Sequence, residues 1–362
     1  MANIQNQRVT AVRRVLGSKG WDALVVTHMP NVYYLTGFCG SAGVALVEES
    51  RTTLFVDGRY RVQAREQAVG CRIQDTKGAP LDGVSESLRV RRGMIVALEA
   101  QYLTISQRRL LGRGTGGGAV VRWVPSSGVV EALRSRKDGT EIRAMRSTAA
   151  LGCRILREVL PMVRPGVREV EIAAEIEYRM KRAGASGAAF ETIVASGPRS
   201  ALPHARPTSR KVGKNELVVL DMGAILGHYC CDLTRTVYLG RPSRQAAEWH
   251  SAVRKAHAAA AAALQPGITA GQVDEVARGV LKKHSVEKLF IHSTGHGLGL
   301  EVHEEPRLAR GSKTVLEAGN VVTIEPGVYQ EGYGGIRIED DYLITGRGAE
   351  RLTRTCTDLF AN

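Results

Sequence analysis

The chain has 362 residues, of which 43% are hydrophobic and 5% aromatic, and its formal net charge is +14. That length is too great for one ordinary hydrophobic core and predicts two domains. The sequence contains no apolar run of the roughly 18 residues that a membrane span requires, and its amino terminus lacks a basic–apolar–small signal pattern. We therefore expect a cytoplasmic protein that does not bind a membrane.

The positive charge is spread over the chain in short clusters, such as those at 89–92 and 134–137. No nucleic-acid-binding motif accompanies these clusters, so we interpret them as solvated surface and expect no nucleic-acid partner. Segment 215–345 differs, because it holds 16 acidic and 13 basic residues. An acid-rich segment in a basic protein directs attention to possible metal ligands.

The cysteines form no C-x-x-C pair, and in a chain of this size without a secretion signal they predict reduced thiols. Neither a disulfide framework nor a zinc–thiolate site is expected. The six cysteines are Cys39, Cys71, Cys153, Cys230, Cys231 and Cys356. We interpret Cys231, which precedes an aspartate of interest, as a small side chain that fills space, with an oxidisable thiol as the alternative.

Residues 1–128 are predicted to form an α/β domain in which short apolar strands alternate with helices. The strands are predicted at 23–26, 44–47, 53–56 and 94–98, and the helices include 8–19 and 59–68. Glycine is frequent from 112 onwards, and a Pro-Ser-Ser-Gly sequence ends this stretch at 128. This composition predicts the joint between the two domains.

Residues 129–362 are predicted to form an α+β domain, with helices on one side of an antiparallel sheet. Helices are predicted at 139–163, 167–183, 243–264 and 270–284, each bounded by proline, glycine or threonine residues. Strands dominate 190–240, and the remainder of the chain is predicted to form strands with turns.

Segments of this second domain supply candidate metal ligands. LDMGAILGHYCCDLTRT (220–236) places two aspartates on what we predict to be consecutive strands of a hairpin. HSTGHGLGLEVHEEP (292–306) supplies His296 between glycines and then His303. VVTIEPGVY (321–329) supplies a glutamate, and GGIRIEDD (334–341) a glutamate beside an arginine. The loop VASGPRSALPHARPT (194–208) supplies a further histidine. The candidate ligands are Asp221, Asp232, His296, Glu325 and Glu339.

Four carboxylates and one imidazole form a hard, oxygen-rich ligand set without a thiolate, which favours Mn, Co, Fe, Zn or Mg. The carboxylates would repel one another if they were buried together without cations. Two divalent cations would offset four carboxylates and lower the pKa of a water held between them. Each residue alone has an ordinary structural explanation, such as a strand-end cap, but the combination indicates a dinuclear site.

The order of these residues resembles the pita-bread metallopeptidases, and within them the Xaa-Pro aminopeptidase (aminopeptidase P) and prolidase branch. The strings that match are GHYCCDLTRT, HSTGHGLGLEVHE, TIEPGVY and GGIRIED. MPNVYYLTGFCGSAGVALV (29–47) and TTLFVDGRYRVQA (52–64) are similar to the creatinase-type N-terminal domain of that branch. The resemblance implies an α+β chain, with a pita-bread catalytic domain at 129–362 and a smaller α/β creatinase-like domain at 1–128.

The resemblance also implies how the ligands are shared between the cations. Asp232 and Glu339 would bridge two divalent ions, Asp221 would bind one of them, and His296 and Glu325 would bind the other. Manganese is the expected metal, with cobalt or zinc as alternatives. Relatives of this kind are often dimers, so a homodimer is expected.

Further residues match catalytic positions of that branch. Glu325 would carry the proton of the attacking water to the leaving proline nitrogen. His303 would steady the scissile carbonyl, and His204 would help to close the site. Arg337 would orient Asp221 through a charge-assisted hydrogen bond.

The expected activity is the release of the first residue from peptides with proline in the second position, because YLTGFCGSAG is closer to the aminopeptidase group. A strict Xaa-Pro dipeptidase is the main alternative, since the motifs do not separate the two. A methionine aminopeptidase shares the ligands but normally lacks such an N-terminal domain, and creatinase-type hydrolases dispense with the ligands. A non-catalytic pita-bread module that binds peptide, protein or nucleic acid is the remaining alternative, although such relatives usually lose ligands that this chain keeps.

Overall fold

The computed structural model describes residues 2–88, 93–113 and 121–358. The basic cluster at 89–92 and most of the glycine-rich joint, at 114–120, lie outside the described residues. The chain divides into two compact units, Met1–Arg134 and Ser135–Asn362. No helix in the described ranges combines the length and the apolar character that a membrane crossing demands.

The first unit alternates strands and helices around one mixed sheet. Its strands are β1 (Ala23–Val26), β2 (Val44–Glu48), β3 (Thr52–Asp57), β4 (Arg72–Thr76), β5 (Ile95–Glu99) and β6 (Arg122–Ser126). Its helices are α1 (Ala2–Lys19), α2 (Met29–Thr36), α3 (Arg61–Gln67), α4 (Pro80–Leu88), α5 (Ile105–Arg113) and α6 (Val129–Arg134). The strand order is β4-β3-β2-β1-β5-β6, with β3–β4, β1–β5 and β5–β6 parallel.

The four strands predicted from apolar runs lie in the interior of this sheet. Every residue of β1 is fully buried, as expected for a short apolar strand that is covered on both faces. The prediction omitted β4 and β6, which form the two edges. Their sequences, RIQDT and RWVPS, are partly exposed and lack an apolar run, so hydrophobic periodicity does not reveal them.

The compact units divide between Arg134 and Ser135, whereas the sequence places the joint at 128. The short helix α6 accounts for the difference, because it packs within the first unit. Val130 is buried there, and the Arg134 guanidinium donates to Asn31 Oδ1 at 2.7 Å. A glycine-rich stretch thus precedes the last helix of the first unit.

The second unit contains the helices α7 (Gly139–Val159), α8 (Glu169–Arg182), α9 (Arg244–Ala263) and α10 (Ala270–Lys283). Its strands before α9 are β7 (Gly187–Ala188), β8 (Ile193–Ser196), β9 (Leu217–Met222), β10 (Ala224–Leu226), β11 (Tyr229–Cys230) and β12 (Leu233–Tyr238). The strands after α10 are β13 (Gly295–Gly297), β14 (Glu304–Leu308), β15 (Val321–Ile324), β16 (Gly327–Gln330), β17 (Gly334–Arg337), β18 (Asp340–Thr345) and β19 (Gly348–Arg351).

Local sequence explains where these helices begin and end. Asp138 and Glu141 form a capping box at the start of α7, and Thr269 and Gln272 form another at the start of α10. The predicted helix 139–163 ends at Val159, and a 3-10 turn containing Pro161 follows it. Proline lacks the N–H that would continue the α-helical hydrogen bonding.

Antiparallel sheets form the centre of the second unit. β12-β9-β8 form one sheet, and β14-β13-β15-β18-β19 form another. Two smaller sheets are β11-β10-β7 and β16-β17. Side chains of α7 and α8 share a buried apolar cluster with β9 and β12. The predicted α+β architecture with antiparallel sheets is confirmed.

Candidate metal centre

Two neighbouring strands bring the candidate aspartates together. Asp221 lies in β9, and Asp232 directly precedes β12. The strands pair antiparallel with Thr234 opposite Asp221 and Leu233 opposite Met222. The predicted hairpin of consecutive strands is incorrect in one detail, because β10 and β11 lie between them and belong to a separate sheet. The two aspartates nevertheless lie at the same end of the strand pair, because β9 and β12 are paired residue by residue there.

The other three candidates come from the second large sheet. His296 is the central residue of β13, Glu325 follows β15, and Glu339 lies between β17 and β18. β13 and β18 both pair with β15. The Glu339 N–H donates to the Thr234 carbonyl at 3.1 Å, which connects this segment to β12.

These side chains converge. One ligand atom from each of Asp232, His296 and Glu339 lies within 4.8 Å of the others. His296 Nε2 lies 3.7 Å from Asp232 Oδ2 and 3.6 Å from Glu325 Oε1. The negative charge of Asp221 raises the pKa of both Asp232 and Glu339, after the larger effect of burial. The structure thus brings together all five predicted ligands.

The tautomer of His296 suits a metal ligand. Its Nδ1 lies 3.0 Å from the Gly297 carbonyl oxygen and therefore acts as the donor. This leaves the lone pair of Nε2 directed towards the carboxylates. Burial lowers the pKa of His296 to about 4, so the ring is neutral at pH 7.

Glycines on both sides of His296 permit the close approach of three strands. A Cβ on Gly295 would overlap the Thr323 carbonyl oxygen of β15, and one on Gly297 would overlap the Glu305 carbonyl oxygen of β14. Because both obstacles are backbone atoms, side-chain rotation does not relieve them. The glycines fix the position of the imidazole between its neighbours.

We expect Gly295→Ala to lower the free energy of unfolding by about 3 kcal/mol, because the methyl group forces β13 away from β15. Urea denaturation followed by circular dichroism measures this change. Gly279→Ala is the matched control, since Gly279 lies in α10 with open space around it. That control should stabilise the protein by about 0.5–1 kcal/mol. Equal stability of the two variants would contradict the steric argument.

The electrostatics of the cluster match a site for cations. Burial and mutual repulsion raise the pKa of Asp232 and of Glu339 well above the ordinary carboxyl value. Burial raises the pKa of Glu325 to about 7. Oδ1 of Asp221 and Oδ1 of Asp232 are buried and lack hydrogen-bond partners among the described residues. Divalent cations would supply partners for these oxygens and offset the repulsion, so the donor set fits them.

Arg337 is a buried cation beside the carboxylates. Its Nη2 donates to Asp221 Oδ2 at 2.5 Å, and its Nε donates to Thr234 Oγ1 at 3.1 Å. Its Nη1 donates to Tyr329 Oη at 2.9 Å and to the Pro203 carbonyl at 3.2 Å. The guanidinium thereby fixes one oxygen of Asp221 and leaves the other available.

The two remaining predicted histidines lie at the more exposed side of the cluster. The ring centroid of His303 is 4.5 Å from that of His296, in an edge-to-face arrangement. Partial burial lowers the pKa of His303, and the charge of His204 lowers it further. His204 therefore lies within electrostatic range of His303.

Sequence reasoning missed the tyrosine and the aspartate that support the ligands. Tyr329 Oη accepts from Arg337 and lies 2.9 Å from His292 Nε2, while His292 Nδ1 donates to the Ser293 carbonyl. Asp341 is buried and accepts the Asp232 N–H at 3.0 Å. The signals were present, because Tyr329 ends the string VVTIEPGVY and Asp341 ends the acidic run after Ile338.

The Cys231 thiol is fully buried, and burial raises its pKa well above the ordinary value. A thiol with a raised pKa is a poor nucleophile and a poor target for oxidation. Its Sγ accepts the Ala224 N–H at 3.4 Å, and Gly152 approaches it so closely that a Cβ there would contact it at 2.9 Å. The geometry supports the interpretation of Cys231 as a space-filling side chain.

Comparison with known proteins identifies the family. Residues 143–346 match Metallopeptidase family M24, and residues 8–136 match the Creatinase/Prolidase N-terminal domain. An Xaa-Pro dipeptidase from Pyrococcus horikoshii is 34% identical over 358 residues, which is 99% of each chain. The solved structure of an Xaa-Pro dipeptidase from Bacillus anthracis has a TM-score of 0.93, with 35% identity over 98% of this chain and 99% of that one. An X-Pro aminopeptidase from Thermotoga maritima has a TM-score of 0.86, with 34% identity over 94% and 97% of the two chains.

These matches confirm the predicted fold class, a pita-bread domain preceded by a creatinase-like α/β domain. They cover the segments that supply Asp221, Asp232, His296, Glu325 and Glu339. The cluster of carboxylates and the sequence matches lead to the same conclusion: the chain belongs to metallopeptidase family M24 and carries the creatinase/prolidase N-terminal domain.

Proposed function

We propose that this metallopeptidase is a dipeptidase that hydrolyses Xaa-Pro. Three buried carboxylates, a partly buried one and a neutral imidazole converge, and two of the buried carboxylate oxygens lack hydrogen-bond partners among the described residues. This convergence carries the proposal of metal-dependent hydrolysis. The preference for proline rests on the names of the relatives. It makes physical sense as a dedicated specificity, because the bond before proline is a tertiary amide without an N–H that a protein can recognise.

The names of the relatives favour the dipeptidase over the aminopeptidase expected from the sequence. Proteins from Pyrococcus horikoshii and Pyrococcus furiosus that are named Xaa-Pro dipeptidase align with nearly the whole chain at 34% identity. An Xaa-Pro aminopeptidase is the second candidate, supported by the structural similarity to the Thermotoga maritima enzyme. The two activities differ in whether the peptide continues beyond proline.

Asp221, Asp232, His296, Glu325 and Glu339 would hold two divalent cations. When bound, such cations supply Lewis-acid polarisation of a carbonyl and lower the pKa of a water molecule. Manganese is our proposed metal, and cobalt and zinc are the alternatives. The oxygen-rich donor set supports all three over a soft metal.

Glu325 is the proposed general base and then general acid. It is held by its own N–H, which donates to the Thr294 carbonyl at 2.8 Å, at the end of β15. Burial raises the pKa of Glu325 to about 7, while the charge of Arg337 opposes this. A carboxylate in such surroundings takes a proton from water and returns it to the leaving proline nitrogen.

His303 and His204 are the proposed substrate-binding histidines. The lowered pKa of His303 keeps its ring neutral at pH 7, so its N–H donates a hydrogen bond to the developing oxyanion without adding a charge. His204 would contact the substrate from the loop before β9. Arg337 would keep Asp221 in position through their 2.5 Å ion pair.

A strict dipeptidase requires a cation for the free carboxylate of its proline. Arg307 lies in β14 and is exposed. Its positive charge lowers the pKa of His296 and of His303, in addition to the larger effect of burial. We expect Arg307→Met to raise the KM for Ala-Pro about tenfold, the value of one charge-assisted hydrogen bond. The KM for Ala-Pro amide, which lacks the carboxylate, should not change.

Arg310→Met is the matched control, because Arg310 pairs with Glu287 on the surface. It should leave both KM values unaltered. An equal effect of Arg307→Met on the acid and the amide would show that Arg307 does not recognise the carboxylate.

The proposed function is tested with protein stripped of metal and then supplied with Mn²⁺, Co²⁺ or Zn²⁺. Ala-Pro, Ala-Pro-Ala, Met-Ala-Ala and Ala-Ala are assayed side by side for release of free amino acids. We expect hydrolysis of Ala-Pro alone. Comparable hydrolysis of Ala-Pro-Ala would establish the aminopeptidase instead, and no hydrolysis with any metal would favour a non-catalytic binding module.

The homodimer, the cytoplasmic location and the lack of a nucleic-acid partner remain predictions. Sedimentation velocity tests the first directly. Binding of nucleic acid driven by the net charge of +14 would weaken steeply as salt is added, which a filter-binding titration would reveal.

A further inference from the structure

Glu169, the first residue of α8, is a fully buried carboxylate outside the metal cluster. Its Oε1 accepts the Ser196 N–H at 2.8 Å and the Ser196 hydroxyl at 2.7 Å. Its Oε2 accepts the Thr208 N–H at 3.0 Å and the Thr208 hydroxyl at 2.7 Å. The two oxygens of one carboxylate thus bind the two ends of segment 196–208, which carries His204.

The middle of the segment is tied to the same carboxylate. Arg199 Nε donates to Glu169 Oε2 at 3.1 Å, and the Arg199 guanidinium also donates to the Arg206 carbonyl. Burial alone would raise the pKa of Glu169, but the hydrogen bonds from Ser196 and Thr208 outweigh it and hold the pKa below the ordinary value. The carboxylate is therefore charged at pH 7, and its hydrogen bonds are of the stronger, charge-assisted kind.

The opposite side of the segment touches the metal centre. The Pro203 carbonyl accepts from Arg337 Nη1 at 3.2 Å, and Ser200 Oγ accepts the Gly335 N–H at 2.9 Å. The segment lies between two sets of contacts, one to Glu169 and one to β17. A small displacement of a substrate-binding group typically lowers the rate of an enzyme by up to about a hundredfold.

We propose that Glu169 is a positioning residue for catalysis, which sets the location of His204 by binding both ends of the segment 196–208. The inference rests on the proposed role of His204 in binding the substrate. Within the part of the chain that the structure describes, the Glu169 carboxylate binds Ser196, Arg199 and Thr208 and none of the proposed metal ligands, so it acts through the loop. Its removal should reduce activity only in a protein whose His204 is intact.

A double-mutant cycle tests this coupling. Glu169→Gln keeps the size of the side chain but replaces one acceptor oxygen with a donor, so one end of the segment loses its partner. We expect kcat/KM for Ala-Pro to fall about 10- to 100-fold in the otherwise unaltered protein and less than about twofold in the His204→Ala background. Equal losses in the two backgrounds would overturn the proposal, because Glu169 would then act on the fold as a whole.

Ile172→Ala is the matched control. Ile172 lies within the same helix and is fully buried in the apolar core, away from the segment. It should lower the denaturation midpoint while leaving kcat/KM unchanged at a temperature where the protein stays folded. If Glu169→Gln fails to fold, Thr208→Ala removes one hydroxyl donor and should show the same dependence on His204 to a smaller degree.

Hydrogen exchange supplies a readout that does not depend on activity. Peptides that span 196–208 should exchange faster in Glu169→Gln than in the unaltered protein, with no such change in Ile172→Ala. Unchanged exchange in Glu169→Gln would refute the anchoring. If the unaltered protein hydrolyses no Xaa-Pro substrate, the proposed function fails, and exchange alone decides whether Glu169 holds the segment.

Discussion

Asp232→Asn is expected to lower kcat/KM for Ala-Pro by about a thousandfold, equivalent to ~4 kcal/mol of transition-state stabilisation. Asp232 is a proposed ligand whose carboxylate lies beside the imidazole of His296 and the carboxylate of Glu339, and the negative charge of Asp221 also acts on it. The substitution removes one of the carboxylate oxygens that would hold the cations, and calorimetric titration with Mn²⁺ should show weaker binding. Undiminished activity with full metal binding would exclude Asp232 from the site.

The same substitution should stabilise the metal-free protein. Burial and the neighbouring carboxylates raise the pKa of Asp232 in the folded chain. At pH 7 the folded chain must either hold a proton that the unfolded chain releases or keep a buried charge beside other carboxylates, and each state costs free energy. An amide has neither cost. In EDTA we expect Asp232→Asn to raise the free energy of unfolding by about 1–3 kcal/mol at pH 7. The proposed ligand Asp232 would thus oppose folding of the metal-free chain.

The pH dependence of this gain has a definite sign. Below about pH 4 the aspartate is protonated in both the folded and the unfolded chain, and the substitution changes little. As the pH rises above that value, the unfolded chain releases its proton first, which favours unfolding of the unaltered protein. The stability advantage of Asp232→Asn in EDTA should therefore grow between pH 5 and pH 7.5.

Urea midpoints of both proteins, measured in parallel at several pH values, test this. Burial lowers the pKa of His292 to about 3 and that of His296 to about 4, which destabilises the folded chain as the pH falls. The effect of the two histidines is common to both proteins, so the difference between their urea midpoints reports the contribution of Asp232. An advantage that shrinks with rising pH would contradict the raised pKa.

Arg337→Leu is expected to lower the free energy of unfolding of the metal-free protein by about 3–5 kcal/mol, the usual effect of removing one partner from a buried ion pair. The guanidinium is 3% exposed and is the charge partner of Asp221. Without it, the carboxylate cluster gains an uncompensated charge, and Tyr329 and the Pro203 carbonyl lose a donor. Denaturation with guanidinium chloride, followed by circular dichroism, measures the change in the free energy of unfolding.

Arg244→Ala is the matched control for loss of an arginine from an ion pair. Arg244 pairs with Glu248 on an exposed helix surface, where such pairs contribute little. No measurable change in stability is expected. Arg337→Lys should recover part of the loss, since it restores the charge but not the several directed donors. Equal stability of Arg337→Leu and the unaltered protein would show that the cation does not stabilise Asp221.

The candidate ligands could be named from the sequence because each lies in a short, distinctive string. His296 between two glycines and Glu325 before Pro-Gly are local patterns, and their order along the chain matches a family. The interior strands of the first unit were predictable for a similar reason, because an apolar run such as 23–26 must be buried. Local sequence also determined the helix starts at Asp138 and Thr269 through their capping boxes.

Sequence by itself thus determined the family, the fold class and the chemical character of the candidate donor set. The tertiary structure alone decided which groups touch: Arg337 reaches Asp221 across 116 residues, and Glu169 binds Ser196 and Thr208. It also placed β10 and β11 between the two aspartates and α6 in the first unit. The reason is physical, because strand register and long-range hydrogen bonds arise from packing many residues at once, and no local pattern encodes them.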